Sequence, residues 1–131
     1  MHMTLEANYA VRIVELLSSN SDRIDAKTIA RNSEVPERFA LKILRKLVSD
    51  NIVLSFKGSK GGYTLNGNPK DISLRMVIES VEGPFRLSRC QQPQYHCGKE
   101  NCKLHEIYSD ISIFVRDKLD SYSFADICKK V

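Results

Sequence analysis

Apolar residues recur along the chain in two rhythms, one helical and one strand-like. Leu5, Tyr9, Ile13, Leu16 and Leu17 fall at helical spacing, so residues 5–19 are expected to form a helix with Thr4 placed to cap it. The polar run Ser18-Ser19-Asn20-Ser21-Asp22 ends that pattern. A short helix is expected from Asp25, a good N-cap, through Ile29 and Ala30 to about Asn32. Ser33-Glu34-Val35 is a tight connection, and Pro36 stands where the next helix would begin. Beyond it Phe39, Ala40, Ile43, Leu44, Leu47 and Val48 trace one apolar face up to Asp50. Two helices joined by so short a turn, the second the longer, predict a helix-turn-helix.

The rhythm then changes. Residues 52–56 and 63–65 read as two strands, and Lys57-Gly58-Ser59-Lys60-Gly61-Gly62 lies between them. Glycine supplies the positive φ that a hairpin turn needs. The length of the loop and its two lysines predict more than a turn. A cationic loop directly after a helix-turn-helix reads as a wing, in which glycine lets the backbone approach a phosphate and Lys57 and Lys60 supply charge. Asn66-Gly67-Asn68-Pro69 is the best linker. It divides the chain into a winged helix-turn-helix DNA-binding region, residues 1–69, and a second region, residues 70–131.

Helical spacing resumes at Ser73, an N-cap, with Met76, Val77 and Val81 expected inward and Gly83-Pro84 as the stop. From Lys103 to about Leu119 a long helix carries Leu104, Ile107, Tyr108, Ile111, Phe114, Val115 and Leu119 as one stripe. That stripe is wider than a small winged helix needs to cover. A subunit interface through Ile107, Ile111, Phe114 and Val115 is expected, with part of the helix packing on the first helix of its own chain. Ser123-Phe124-Ala125-Asp126 has the capping pattern of a last short helix, with Cys128 on it as a small core residue. The fold class is therefore mainly α with a small β-wing: a winged helix-turn-helix domain plus a long C-terminal dimerisation helix.

Composition narrows the picture. Hydrophobic residues make up 42% of 131 residues, enough to bury a core. There is no apolar run of about eighteen residues and no secretory pattern in the first residues, so a cytoplasmic protein with no membrane span is expected. Thiols there stay reduced, which disfavours a disulfide framework for the four cysteines. The net charge is +4, and residues 1–70 hold 11 Lys and Arg against 7 Asp and Glu, whereas residues 71–131 hold 9 of each. The excess lies in the helix-turn-helix region, as contact with double-stranded DNA would need. Pro36, Glu37, Arg38, Leu41 and Lys42 open the second helix of that motif on the side away from its apolar face. Residues so placed reach base edges in the major groove.

Candidate chemistry is concentrated in one place. Cys90, Cys97, Cys102, His96 and His105 fall within sixteen residues. Soft ligands on an irregular loop can wrap an iron–sulfur cluster, held by thiolates with histidine as an occasional replacement. Cys102 and His105 are three apart at a helix start and share a face, and the helix N-terminus there favours an anionic group. Zinc accepts three cysteines and a histidine equally well, and redox-active thiols without metal remain a third reading. With a histidine in the fourth place, 2Fe-2S is favoured over 4Fe-4S. No glycine-rich nucleotide loop and no nucleophile beside a base point to an enzyme.

Tyr9-Ala10-Val11-Arg12, Thr28-Ile29-Ala30, Lys57-Gly58-Ser59-Lys60-Gly61-Gly62-Tyr63 and Val81-Glu82-Gly83-Pro84 together resemble the Rrf2 family of bacterial transcription regulators. The resemblance covers nearly the whole chain. It implies a homodimeric winged-helix DNA-binding protein crossed through its long C-terminal helix and reading a pseudo-palindromic operator, with Thr28, Ser59 and Tyr63 joining the residues above at the DNA. Members with three cysteines in this region resemble sensors that bind an iron–sulfur cluster, which implies Cys90, Cys97 and Cys102 as ligands. The fourth ligand varies within the family. In one branch it is a histidine just past the third cysteine, where His105 stands. In another it is an acidic residue of the partner's first helix, where this chain has Asn8 with Glu6 nearby. The other readings are a metal-free or zinc-binding repressor governed by thiol chemistry or a partner protein, and a small iron–sulfur electron carrier. The last would leave the helix-turn-helix and wing without a purpose.

Overall fold

The structure is a computed structural model that describes residues 2–95 and 98–129. Its first helix, α1 (Leu5–Ser18), begins where Thr4 turns its hydroxyl to the Ala7 amide, at 3.1 Å. In α2 (Ala26–Ser33) the Asp25 carboxylate caps the Thr28 amide. Glu34 then takes a left-handed conformation, φ 57°, and reverses the chain into α3 (Glu37–Ser49), with Pro36 as its N-cap. The hairpin follows as β1 (Val53–Phe56) and β2 (Gly62–Leu65), antiparallel with Val53 opposite Leu65 and Phe56 opposite Gly62. Tyr63 also bridges to Ile24, so the chain before α2 forms a short third edge of this sheet. That pairing requires glycine at position 62. A Cβ there would stand 2.7 Å from the Ile24 carbonyl oxygen, and φ is 147°.

Ser73 caps α4 (Leu74–Glu82), accepting from the Met76 amide and donating to Asp120. A single 3₁₀ turn, Arg89–Gln91, interrupts the cysteine loop before α5 (Lys103–Asp120), and α6 (Phe124–Ile127) ends the described chain. One core unites these pieces. Ala7, Ala10, Ile13, Val14 and Leu17 of α1 meet Ile29 of α2, then Ala40, Ile43, Leu44 and Leu47 of α3, Val77 and Ile78 of α4, and Phe124 of α6.

Several details differ from what the spacing predicts. Met76 is exposed rather than inward. It is the third residue of α4, and its sulfur takes the Ser73 amide at 3.4 Å, which draws the side chain back over the cap. The main contacts of α5 within the chain are with α4 and the 3₁₀ turn rather than with α1. Cys128 is a half-buried C-cap of α6 near the Glu15 carbonyl, not a core residue, because a four-residue helix ends before it. No described helix is long and apolar enough to cross a membrane.

Candidate functional site

On α3, the buried Ala40, Ile43, Leu44 and Leu47 set the inward face, which leaves Glu37, Arg38, Leu41, Lys42 and Arg45 exposed. Arg45 lies seven residues after Arg38 and shares its face. Continuing the outward stripe one turn beyond Lys42 would have found it. Lys42 is not free in this state. Its ammonium is 2.8 Å from the Glu6 Oε1 of α1, and Lys46 stands 3.6 Å from the other oxygen of that carboxylate. Lys46 also donates to the Val81 carbonyl, in the last turn of α4, at 3.2 Å. The lysine hydrogen bond holds the Glu6 carboxyl below its usual range. Thr28, half-buried at the start of α2, gives its hydroxyl to Asp25.

In the wing, Lys57, Ser59 and Lys60 are exposed at the hairpin tip, while Tyr63 is half-buried against the core. Arg23 fixes the base of the wing. Its guanidinium lies 3.7 Å from the centre of the Phe56 ring, and it donates to the Lys60 carbonyl at 3.4 Å. The arginine precedes α2 by sequence and carries no spacing signal toward the hairpin, so only the fold reveals it.

The cysteine loop is tied down where it leaves α4. Glu79 accepts from the Phe85 amide at 2.7 Å, and Arg116 of α5 donates to the Phe85 carbonyl at 2.7 Å. Cys102 is the N-cap of α5, and among the described residues no side chain caps the helix there. The first amides of a helix have no partner within it. Cys90, Cys102 and His105 line one cavity of about 590 Å³, together with Ser88, Tyr95 and Tyr108. Cys97 and His96 lie outside the described residues. Among the described residues, no three of His, Cys, Asp and Glu stand close enough to share one ion. Along α5, Ile107, Ile111 and Phe114 are exposed, Phe114 by 71%, and Val115 is half-buried beside Ile78, Phe85 and Leu119.

The sequence profile of Rrf2, described as an iron-dependent transcriptional regulator, matches residues 3–130. The chain belongs to the Rrf2 family. A relative, the HTH-type transcriptional regulator IscR of Pectobacterium atrosepticum, is 25% identical over 129 residues, covering 97% of this chain and 79% of that protein. Among solved structures, CymR, the global cysteine regulator of B. subtilis, matches with a TM-score of 0.77 at 23% identity, over 98% of this chain and 96% of that one. T. potens IscR matches with a TM-score of 0.79 at 20% identity, over 97% of this chain and 85% of that one. At these identities the structural likeness establishes the fold, a winged helix-turn-helix with a long C-terminal helix. Membership of the Rrf2 family, whose profile is that of a transcriptional regulator, makes this chain a transcriptional regulator rather than an enzyme.

The donor set suits an iron–sulfur cluster. It offers two described cysteines and a histidine around one cavity, beside the positive end of α5. Thiolate and imidazole donors would hold a structural zinc ion as well.

Proposed function

We propose that the chain is a homodimeric, DNA-binding transcriptional regulator whose operator affinity follows the state of an iron–sulfur cluster held by Cys90, Cys97, Cys102 and His105. The observation that carries this reading is that Cys90 of the loop lines a single cavity with Cys102 and His105 at the start of α5. When bound, the cluster supplies a redox centre, for which 2Fe-2S is the preferred form because histidine stands in for one thiolate. Residues 1–69 form the DNA-binding region in this reading, and residues 70–131 bind the cluster and the second subunit. Pro36, Glu37, Arg38, Leu41 and Lys42 enter the major groove. Lys57, Ser59 and Lys60 meet phosphates, and Thr28 and Tyr63 flank them. The exposed Ile107, Ile111 and Phe114, with Val115, bury against a second copy about a two-fold axis, so the operator is a pseudo-palindrome.

The test is anaerobic purification with iron and sulfide counts, followed by DNA binding to the protein's own promoter region with loaded and stripped protein. The wild type should be brown and contain iron and sulfide in equal amounts, and the loaded and stripped forms should differ in affinity by about tenfold or more, a coupling typical of two-state regulators. Ala at Cys90, Cys97 or Cys102 should remove most of the iron, and Cys128→Ala should not. A colourless protein with one zinc would replace the cluster by a structural site. Metal-free protein whose DNA affinity follows oxidant would assign the response to thiols. Either result overturns the cluster reading.

A further inference from the structure

Ser112 is buried to 1% exposure, and it is the only buried residue of α5. A helix that exposes leucine, isoleucine and phenylalanine while burying a serine calls for a reason, since alanine would fill that volume without a polar group to satisfy. The serine hydroxyl accepts from the Leu87 amide at 2.9 Å. It also stands 2.9 Å from the Gln91 Oε1 and 2.8 Å from the Tyr108 carbonyl, and gives its one proton to either. Which end of the Gln91 amide faces Ser112 is decided by chemistry. The Ser88 backbone amide, 3.2 Å away, can only donate, so the group facing it is the carbonyl oxygen. The nitrogen end then reaches the Ser109 hydroxyl at 3.3 Å. Ser88 completes the arrangement by accepting from the Cys90 amide at 3.4 Å.

Cys90 therefore sits in the middle of a 3₁₀ turn that α5 grips through Gln91. The gripping residues are not scattered. Cys102, His105, Ser109, Ser112 and Arg116 follow one another at intervals of three or four, so they lie on one face of α5. Read from the far end of the helix, that face meets the incoming chain rung by rung: Arg116 with Phe85, Ser112 with Leu87, Ser112 and Ser109 with Gln91. Beyond the last rung it opens into the cavity shared by Cys90, His105 and Cys102.

We infer that Gln91, Ser109 and Ser112 form a positioning network that sets Cys90 against Cys102 and His105. This inference rests on the cluster reading above. The ligand geometry is then inherited from one rigid helix, and a change at the ligands reaches the dimerisation helix through the same bonds.

Two variants test it. Ser112→Ala removes the central hydroxyl. Gln91→Leu removes both polar ends from a loop position that contributes nothing to the core. Gln91→Glu keeps the acceptor for Ser88 and Ser112 and serves as the conservative control. Iron retention against a chelator, the visible circular dichroism of the cluster and the alkylation rate of Cys90 relative to Cys102 in metal-free dimer are measured for each. Ser112→Ala and Gln91→Leu should retain iron about 10- to 100-fold less well, the range found when groups behind a metal ligand are removed. They should also alter the visible dichroism and raise the relative alkylation of Cys90 severalfold, while Gln91→Glu stays near the wild type. Unchanged retention, dichroism and alkylation in Gln91→Leu overturn the network, whatever Ser112→Ala does to folding. Absence of iron from wild-type protein would overturn the cluster reading instead, and the alkylation ratio alone would then decide whether the network sets Cys90.

Discussion

The helix-turn-helix core and the segment from Gly83 onward are built on opposite plans. In the first, α1, α3 and α4 turn almost every large apolar side chain on their inner faces to one another, and Ile13, Val14, Ile43, Leu44, Leu47 and Val77 are wholly buried. In the second, the eighteen-residue α5 buries a single serine and leaves Leu104, Ile107, Ile111, Ile113 and Phe114 exposed. The loop before it is attached by hydrogen bonds at Phe85, Leu87 and Gln91, and Phe85 also stands beside Val115 and Leu119. In the proposed dimer, stability of the chain and assembly would thus fall to different surfaces. An exposed apolar face this long is the mark of a partner surface.

Breaking each region in turn should show that separation. Phe114→Asp should weaken the dimer on the order of a thousandfold by placing a charge in the interface, measured by sedimentation. The monomer should keep its helical circular dichroism, because Phe114 touches little of its own chain. A variant that stays dimeric would mean that the stripe does not face a second copy. Leu44→Ala is the converse, with an expected loss of about 3 kcal/mol in denaturant unfolding from the cavity it opens. Lys57→Ala with Lys60→Ala should leave folding and assembly alone. It should lower the slope of log DNA affinity against log salt by about 2 per dimer, if each subunit loses one effective phosphate contact. An unchanged slope would remove the wing from the interface. The smallest effect is expected at Glu6→Gln. The Glu6 carboxyl is held below its ordinary range chiefly by the Lys42 hydrogen bond, so its contribution is complete above the pKa of an unfolded glutamate and fades as the pH falls through the lower folded value. The stability difference between wild type and Glu6→Gln should therefore vanish in acid, and at neutral pH the freed Lys42 should raise DNA affinity severalfold at most.

Local chemistry was the legible part of the sequence. Thr4, Asp25, Ser73 and Ser123 were readable as caps because a cap needs only its own next three residues. The fold class followed from the spacing of apolar residues and the short turn at Glu34. Met76 was misread because an apolar residue on a helical wheel counts as inward, whereas at the third helical position its sulfur can answer an orphan amide. At the cysteine site, composition pointed to the loop and the helix start. It could not show that Ser109, Ser112 and Arg116 would be covered. On a wheel they form an ordinary solvent face, and only the return of residues 85–91 across α5 turns that face inward. Arg23 was hidden for the same reason, since its partners Phe56 and Lys60 come from a hairpin distant in sequence.

Lys46 belongs to the helix that would read the operator, yet its ammonium is bonded to the carbonyl of Val81, two residues before the chain leaves α4 for the cysteine loop. In the proposed regulator that bond would join the two sites, and coupling between two sites acts in both directions. By whatever factor a cluster in the loop would change the grip on DNA, occupancy of the operator would change the grip of the loop on the cluster by the same factor. Promoter-bound and free copies would then gain and lose their cofactor at different supply levels. The threshold of the response would be set partly by how many binding sites the genome offers.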